Sequence, residues 1–339
     1  MSPDRFLLEL PKAELHVHLE GSIRPETLLS LARRRRVDLP VDSVEGLREW
    51  FEFRDFEHFV DIYLKCSQCL RDPEDFQLLV RDFMAEQARQ NILYSEAHLT
   101  IGTHLMNGCN GREVRDALWE AVQEAERQLG VRLRLITDIV RNVPYRWADA
   151  TVEWALEARE HGVVALGLSG YEATHPAEPF RAHFGAAKQG GLHRVAHAGE
   201  HAGPQAIRDV LEICEAERIG HGVRAVEDSE LVDRLAADAI PLEVCLTSNV
   251  RLGVFPCIEA HSFGRLHEVG CCVTIHSDDP PLFNTDLTRE YQLAAETWGY
   301  SRETMVELAR RSFQAAFVDE EYREELLGRL EAVAGGVRA

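Results

Sequence analysis

The stretch Ala13-Glu14-Leu15-His16-Val17-His18-Leu19 decides the architecture. Its β-favouring run reads as a strand, and His16 and His18 stand at i and i+2, so on extended backbone both imidazoles leave one face and can converge on one ion. Alone, the pair reads equally well as a buried, hydrogen-bonded couple. Working outward, seven more short β-rich runs fall at 92–100, 131–140, 163–169, 193–197, 218–221, 241–246 and 271–276, most of them followed by an amphipathic stretch. Helical spacing is clearest over 112–129, where Val114, Leu118, Ala121, Val122, Ala125 and Leu129 recur at i, i+3, i+4 and i+7. Residues 147–161 and 205–215 behave similarly. Eight strands alternating with helices predict an α/β fold, a (β/α)8 TIM barrel. No internal repeat or linker interrupts it, so residues 1–339 read as one barrel domain.

The residues able to do chemistry obey the barrel. His16 and His18 end the first run, Gly170 follows the fourth, His197 ends the fifth, His221 the sixth, and Asp278 and Asp279 follow the eighth. Barrel enzymes build their sites at this C-terminal rim. The segment 41–70 is too long for an ordinary connection and carries Trp50, Phe51, Phe53, Phe56, Phe59 and Tyr63 among acidic residues, so it is expected to form helices that make a lid over one end.

Composition limits the partners. A net charge of -20 disfavours nucleic acid, whose binding draws on Lys and Arg neutralising phosphates. A small-molecule ligand is expected. The dense basic run Arg33-Arg34-Arg35-Arg36 reads as a solvated helix end, where cations suit the dipole. No window reaches the ~18 apolar residues of a membrane span, and no basic-then-apolar leader opens the chain, so the expectation is a cytoplasmic protein with no membrane partner. Its eight cysteines, irregularly placed, read as reduced thiols. Nothing decides between monomer and homo-oligomer.

Joined to His197 and Asp278, the first two histidines give three nitrogens and one oxygen, a donor set that suits zinc and would also accept iron or manganese. One Zn2+ ion per chain is expected, because Gly167-Leu168-Ser169-Gly170 ends the fourth strand without the bridging lysine or carboxylate that binuclear hydrolases on this barrel use. A rival zinc pattern, His18-Leu19-Glu20 with Cys66-Ser67-Gln68-Cys69, superficially matches the cytidine-type deaminases. Lys65 stands where that pattern has proline, and the reading leaves His197, Glu200, His221 and Asp278 without a use.

The runs Pro11-Lys12-Ala13-Glu14-Leu15-His16-Val17-His18-Leu19-Glu20-Gly21-Ser22, His197-Ala198-Gly199-Glu200, Arg218-Ile219-Gly220-His221-Gly222, Thr247-Ser248-Asn249 and Ser277-Asp278-Asp279-Pro280 together resemble the adenosine deaminase family, in order and over nearly the whole chain. The resemblance implies that His16, His18, His197 and Asp278 ligate zinc, that Glu200 donates a proton to the purine ring, and that His221 orients the attacking hydroxide. It further implies that Asp279 meets the N7 edge, that Gly170 contacts N3 through its backbone, and that His18 and Glu20 face the substrate.

The chemistry agrees: zinc lowers the pKa of bound water from ~15.7 towards ~7, and a proton given to the ring nitrogen relieves the charge that grows as aromaticity is lost. A carboxyl beside a dication either takes its proton from that water or is desolvated enough to keep one.

Departures from the family pattern bear on the substrate. Glu20 stands where aspartate contacts the ribose, Ser169 and Tyr171 where acidic residues are common, and Leu246 and Ser262 where proline is common. The expected reaction is hydrolytic deamination of a 6-aminopurine nucleoside, adenosine or deoxyadenosine first, as in purine salvage. Adenine, or a modified nucleoside such as aminodeoxyfutalosine, is the alternative. A mononuclear cyclic-amide amidohydrolase has no clear use for Glu200, and a non-catalytic binding protein no need of ligands, acid and orienting histidine together.

Overall fold

In a computed structural model, which describes residues 4–337, the eight β-rich runs become β1 (Lys12–His18), β2 (Ile92–Leu99), β3 (Arg132–Val140), β4 (Val163–Ser169), β5 (His193–Ala198), β6 (Arg218–His221), β7 (Leu242–Val244) and β8 (Val273–Ile275). The first three and last two residues of the expected 1–339 unit lie outside the described residues. All neighbouring strands pair in parallel, in the order β1 to β8. The expected α/β barrel is the observed fold. β7 is shorter than the run 241–246 because Leu246 opens the helix Leu246–Arg251 rather than extending the ladder.

The ring closes through residues that matter chemically. Val17 bridges Asp278 in parallel, the His18 amide donates to the Asp278 carbonyl at 2.8 Å, and the Asp278 amide donates to the His16 carbonyl at 3.1 Å. Lower down, the Leu15 amide donates to His276 Nδ1 at 3.0 Å.

Helices pack outside the sheet, which makes both faces of most strands interior. In the helix Gly111–Leu129, capped by Asn110 and stopped at Gly130, the expected apolar stripe is buried from Val114 to Ala125. Leu129, expected in that stripe, is 40% exposed at the end of the helix. Within the basic run at the end of Pro25–Arg35, Arg34 and Arg35 pair with Asp75. No described helix is long and apolar enough to cross a membrane.

Inside the barrel the packing is ionic. Arg218, fully enclosed, donates through Nε to Glu243 at 2.5 Å and through Nη2 to Glu96 at 2.5 Å, with the Phe317 ring 3.8 Å beneath its guanidinium. Such charges fold inside only as a closed set, because removing one partner strands the others away from water. Arg218→Met is therefore expected to destabilise the fold by about 3–5 kcal/mol, read as a shifted urea midpoint. A shift below about 1 kcal/mol would show that the cluster contributes little.

Candidate functional site

The C-terminal rim of the barrel gathers His16 and His18 from β1, His197 from β5, His221 from β6 and Asp278 from the turn after β8. His18 Nε2 lies 3.2 Å from His197 Nε2 and 3.3 Å from Asp278 Oδ1, and His16 Nε2 lies 3.7 Å from Asp278 Oδ1. A tetrahedral ion with bonds of ~2.05 Å holds its ligand atoms roughly 3.3 Å apart. These separations are of that size, while His197 and Asp278 stand further apart, on either side of the His16–His18 pair. His221 and Asp278 reach their positions at φ of 65° and 66°, a conformation that costs non-glycine residues about 1–3 kcal/mol and that clusters at functional sites. Gly220 permits the approach: a Cβ there would stand 2.7 Å from the His16 ring.

The imidazoles are arranged to present lone pairs. His16 Nδ1 bonds Glu243 at 2.9 Å, leaving His16 Nε2 buried without a partner, and His197 Nδ1 bonds the Leu168 carbonyl at 3.2 Å, leaving Nε2 to face the cluster. Burial lowers His16 to about 4 and holds His197 well below the ordinary histidine value, so both are neutral, as ligands must be. Burial also lowers His18, but Asp279 and Asp278 outweigh it and hold that ring up to about 10. The carboxylates thus demand positive charge at this point, which either a proton on His18 or a cation among the ligand atoms supplies. The residues fit a divalent cation. Cys245 is also near His16, His221 and Asp278, and burial pushes its thiol well above the usual range.

Beside this cluster lies a cavity of about 290 Å³, whose lining includes His18, Gly170, His197, Glu200, His221, Asp278 and Asp279. Glu200 Oε1 accepts from Asn249 Nδ2 at 3.1 Å, and Glu200 Oε2 lies 3.0 Å from His201 Nδ1 and 3.7 Å from His221 Nε2. Burial raises the Glu200 carboxyl, but His221 and His201 more than offset it, so it rests ionised. Asn249 binds His221 Nδ1 at 3.2 Å through the same amide nitrogen and His261 Nε2 at 3.2 Å through its oxygen. That assignment leaves the His221 proton on Nε2, facing Glu200. Asp279 also lines the cavity; its Oδ1 is buried and unpartnered, and burial together with Asp278 pushes its carboxyl up.

The segment 41–70 forms the helices Val44–Trp50 and Phe56–Cys69, and the second closes over the cavity with Phe56, Phe59, Val60, Tyr63 and Leu64. Phe56 meets Tyr171 edge to face at 5.0 Å, giving Tyr171 a packing partner, and Phe59 stacks on Phe283 at 5.2 Å. Cys66 and Cys69 are buried free thiols on this helix.

Glu20 does not line the cavity. Its Oε1 accepts from the Thr100 amide at 2.8 Å, Thr100 Oγ1 at 2.6 Å and His104 Nε2 at 3.0 Å, while Oε2 accepts from Tyr63 Oη at 3.2 Å. Despite burial, these donors, His104 foremost, hold it at about 2. The carboxylate ties the covering helix to the rim.

Several contributors carry no motif of their own. Glu243 backs His16, and Ser248 Oγ donates to Asp278 Oδ2 at 2.6 Å. Asp138 holds His98 Nδ1 at 2.9 Å, repeating the carboxylate–imidazole pairing one strand away. Their signal is only a polar residue at an inward strand position, which no spacing rule isolates. Asn249 and Ser248 lie in the Thr247-Ser248-Asn249 run, where the sequence offers no role for either.

The sequence profile of the adenosine deaminase family matches residues 11–333. The chain is 38% identical to an adenine deaminase of Hahella chejuensis over 96% of its own length and 97% of that protein's. It is also 38% identical to an aminodeoxyfutalosine deaminase of Streptomyces avermitilis, over 93% of this chain and 88% of that one. Among solved structures, an adenine deaminase from Arthrobacter aurescens superposes with a TM-score of 0.91 at 30% identity, covering 97% of this chain and 100% of that one. The barrel, its rim of histidines and these likenesses agree: the chain belongs to the adenosine deaminase family, metal-dependent hydrolases of the amidohydrolase superfamily, and is a hydrolytic deaminase acting on C–N bonds.

Proposed function

We propose that this protein hydrolyses the exocyclic amino group from C6 of a 6-aminopurine, releasing ammonia and the 6-oxo product. The observation that carries the reading is the meeting, at one cavity, of an ionised Glu200 with two overlapping donor groups, His16, His18 and His197 in one and His18 and Asp278 in the other. Those four residues would hold one Zn2+ ion, whose chemistry when bound is to acidify water and so supply a nucleophile at neutral pH.

The chain's own groups do the rest. Ionised Glu200 takes a proton from the attacking water and passes it to the ring nitrogen beside C6, which neutralises the charge that builds as the ring loses aromaticity. A divalent cation nearby favours that ionised resting state further. His221, its tautomer fixed by Asn249, presents Nε2–H to the attacking oxygen and sets its direction. Asp279, in its protonated form, meets the N7 acceptor with an O–H, and Gly170 offers backbone at the N3 edge. Apolar residues including Phe56, Phe59, Val143 and Leu252 enclose the ring.

For the substrate, the cavity favours a 6-aminopurine with a modified ribose, of the kind that aminodeoxyfutalosine represents. About 290 Å³ approaches the ~300 Å³ at which sites for drug-sized ligands begin, more than a bare purine needs. The lining includes the apolar Leu64, Met106 and Val143, side chains suited to a bulky ribose substituent. No Lys or Arg is among the described lining residues, which weighs against a 5′-phosphate. Adenine itself is the second reading, supported by the likeness to the Hahella chejuensis protein. Adenosine and deoxyadenosine, first on the sequence, have less behind them.

Three results are expected. Glu200→Gln lowers kcat by at least ~100-fold, the low end for loss of a general acid, with metal content by mass spectrometry unchanged; retained activity ends the proton-shuttle role. In a panel of adenine, adenosine, deoxyadenosine, AMP and a 5′-aryl-substituted adenosine, the last shows the highest kcat/KM, and adenine exceeding it by more than about tenfold (~1.4 kcal/mol) overturns the modified-nucleoside reading. Glu20→Gln costs about 1.5–3 kcal/mol of stability through its lost charged hydrogen bonds, yet leaves KM within about twofold. A large rise in KM would place Glu20 on the substrate instead.

A further inference from the structure

The loop that carries Glu200 is held from both sides by charges outside the reacting groups. The Glu172 carboxylate, buried at the cavity wall, accepts four consecutive backbone N–H groups: Gly199 on Oε2 at 2.9 Å, and Glu200 at 2.8 Å, Ala202 at 2.8 Å and His201 on Oε1. Gly199, at φ 72°, turns the chain so that these amides face one way and form an anion-binding nest. The carbonyls are gripped by cations. Arg141 Nη2, from just past β3, donates to the His197 carbonyl at 2.6 Å, and Arg224 Nη1, from beyond β6, donates to the His201 carbonyl at 2.7 Å.

We infer that Glu172 is a positioning residue for the deamination, with Arg141 and Arg224 completing a clamp that fixes the Glu200 carboxylate against the substrate ring. The inference rests on the proton-shuttle reading of Glu200. The physical need is plain: Glu200 follows a tight turn on an irregular segment that no ladder or helix immobilises, and a misplacement of ~1 Å at a reacting group costs on the order of 100-fold in rate. A single carboxylate satisfying four amides replaces the missing secondary structure. Glutamine loses the charge and, with its oxygen kept on the three amides that share Oε1, turns its amide nitrogen against the Gly199 N–H.

The test uses the metal-replete full chain. Glu172→Gln is expected to lower kcat about 10- to 100-fold while KM stays within about threefold and metal content is unchanged, and amides 199–202 are expected to exchange hydrogen at least ~10-fold faster by mass spectrometry. Unchanged exchange with kcat within about twofold of the parent overturns the clamp. If Glu172→Gln does not yield folded protein, Arg224→Met, which loses one carbonyl grip on the partly exposed side, is expected to raise exchange at 200–202 and lower kcat with KM held; no change in either overturns the clamp equally. Glu200→Gln separates the two ideas. Its loop amides stay protected, and activity persisting there would sink the proton role while leaving the exchange result to judge the clamp.

Discussion

The closure of the sheet between β1 and β8 is the constraint on which the rest depends. The two hydrogen bonds that seal it, His18 amide to Asp278 carbonyl and Asp278 amide to His16 carbonyl, are made by the backbones of three residues whose side chains converge just above. Folding the barrel and assembling the donor cluster are therefore one event. The left-handed backbone of Asp278 is held by this seam, and Ser248 then fixes the carboxylate that projects from it.

Beneath the seam, polarity is passed upward through the barrel. Arg218 bridges Glu96 and Glu243; Glu243 in turn orients His16 and leaves its Nε2 lone pair free. An apolar interior would pack as well but would leave His16 without the partner that fixes its tautomer, and such partners typically govern ligand basicity. The ionic core costs desolvation, which the closed set of pairs offsets, and it fixes the direction of one imaginable ligand to within a hydrogen bond. Above the seam the same logic recurs in Glu172 and Glu20: Glu172, although it lines the cavity, is spent on four backbone amides and Glu20 on the rim and its covering helix, while Glu200, Asp278 and Asp279 also face the cavity.

The fold was legible because short buried runs recur with a helical stretch after most of them; β1 to β6 lie within a residue or so of where the pattern puts them. β7 and β8 are less so, since their flanks leave the ladder for turns and caps, choices made by neighbours rather than by propensity. The motif histidines and carboxylates were legible through their place at strand ends. Glu20 shows the limit of such reading. Its position in a motif suggests contact with a ligand, while its surroundings, Thr100, His104 and Tyr63, come from segments tens of residues away.

What the sequence determined by itself was the barrel, the set of residues at its mouth and the family to which they point, because period, punctuation and short motifs are local properties of the chain. What only the tertiary structure decided was which polar groups are spent on architecture and which stay free for chemistry. Hydrogen-bond partners of buried carboxylates are drawn from distant strands, and a carboxylate's role is set by whether those partners have already taken its lone pairs.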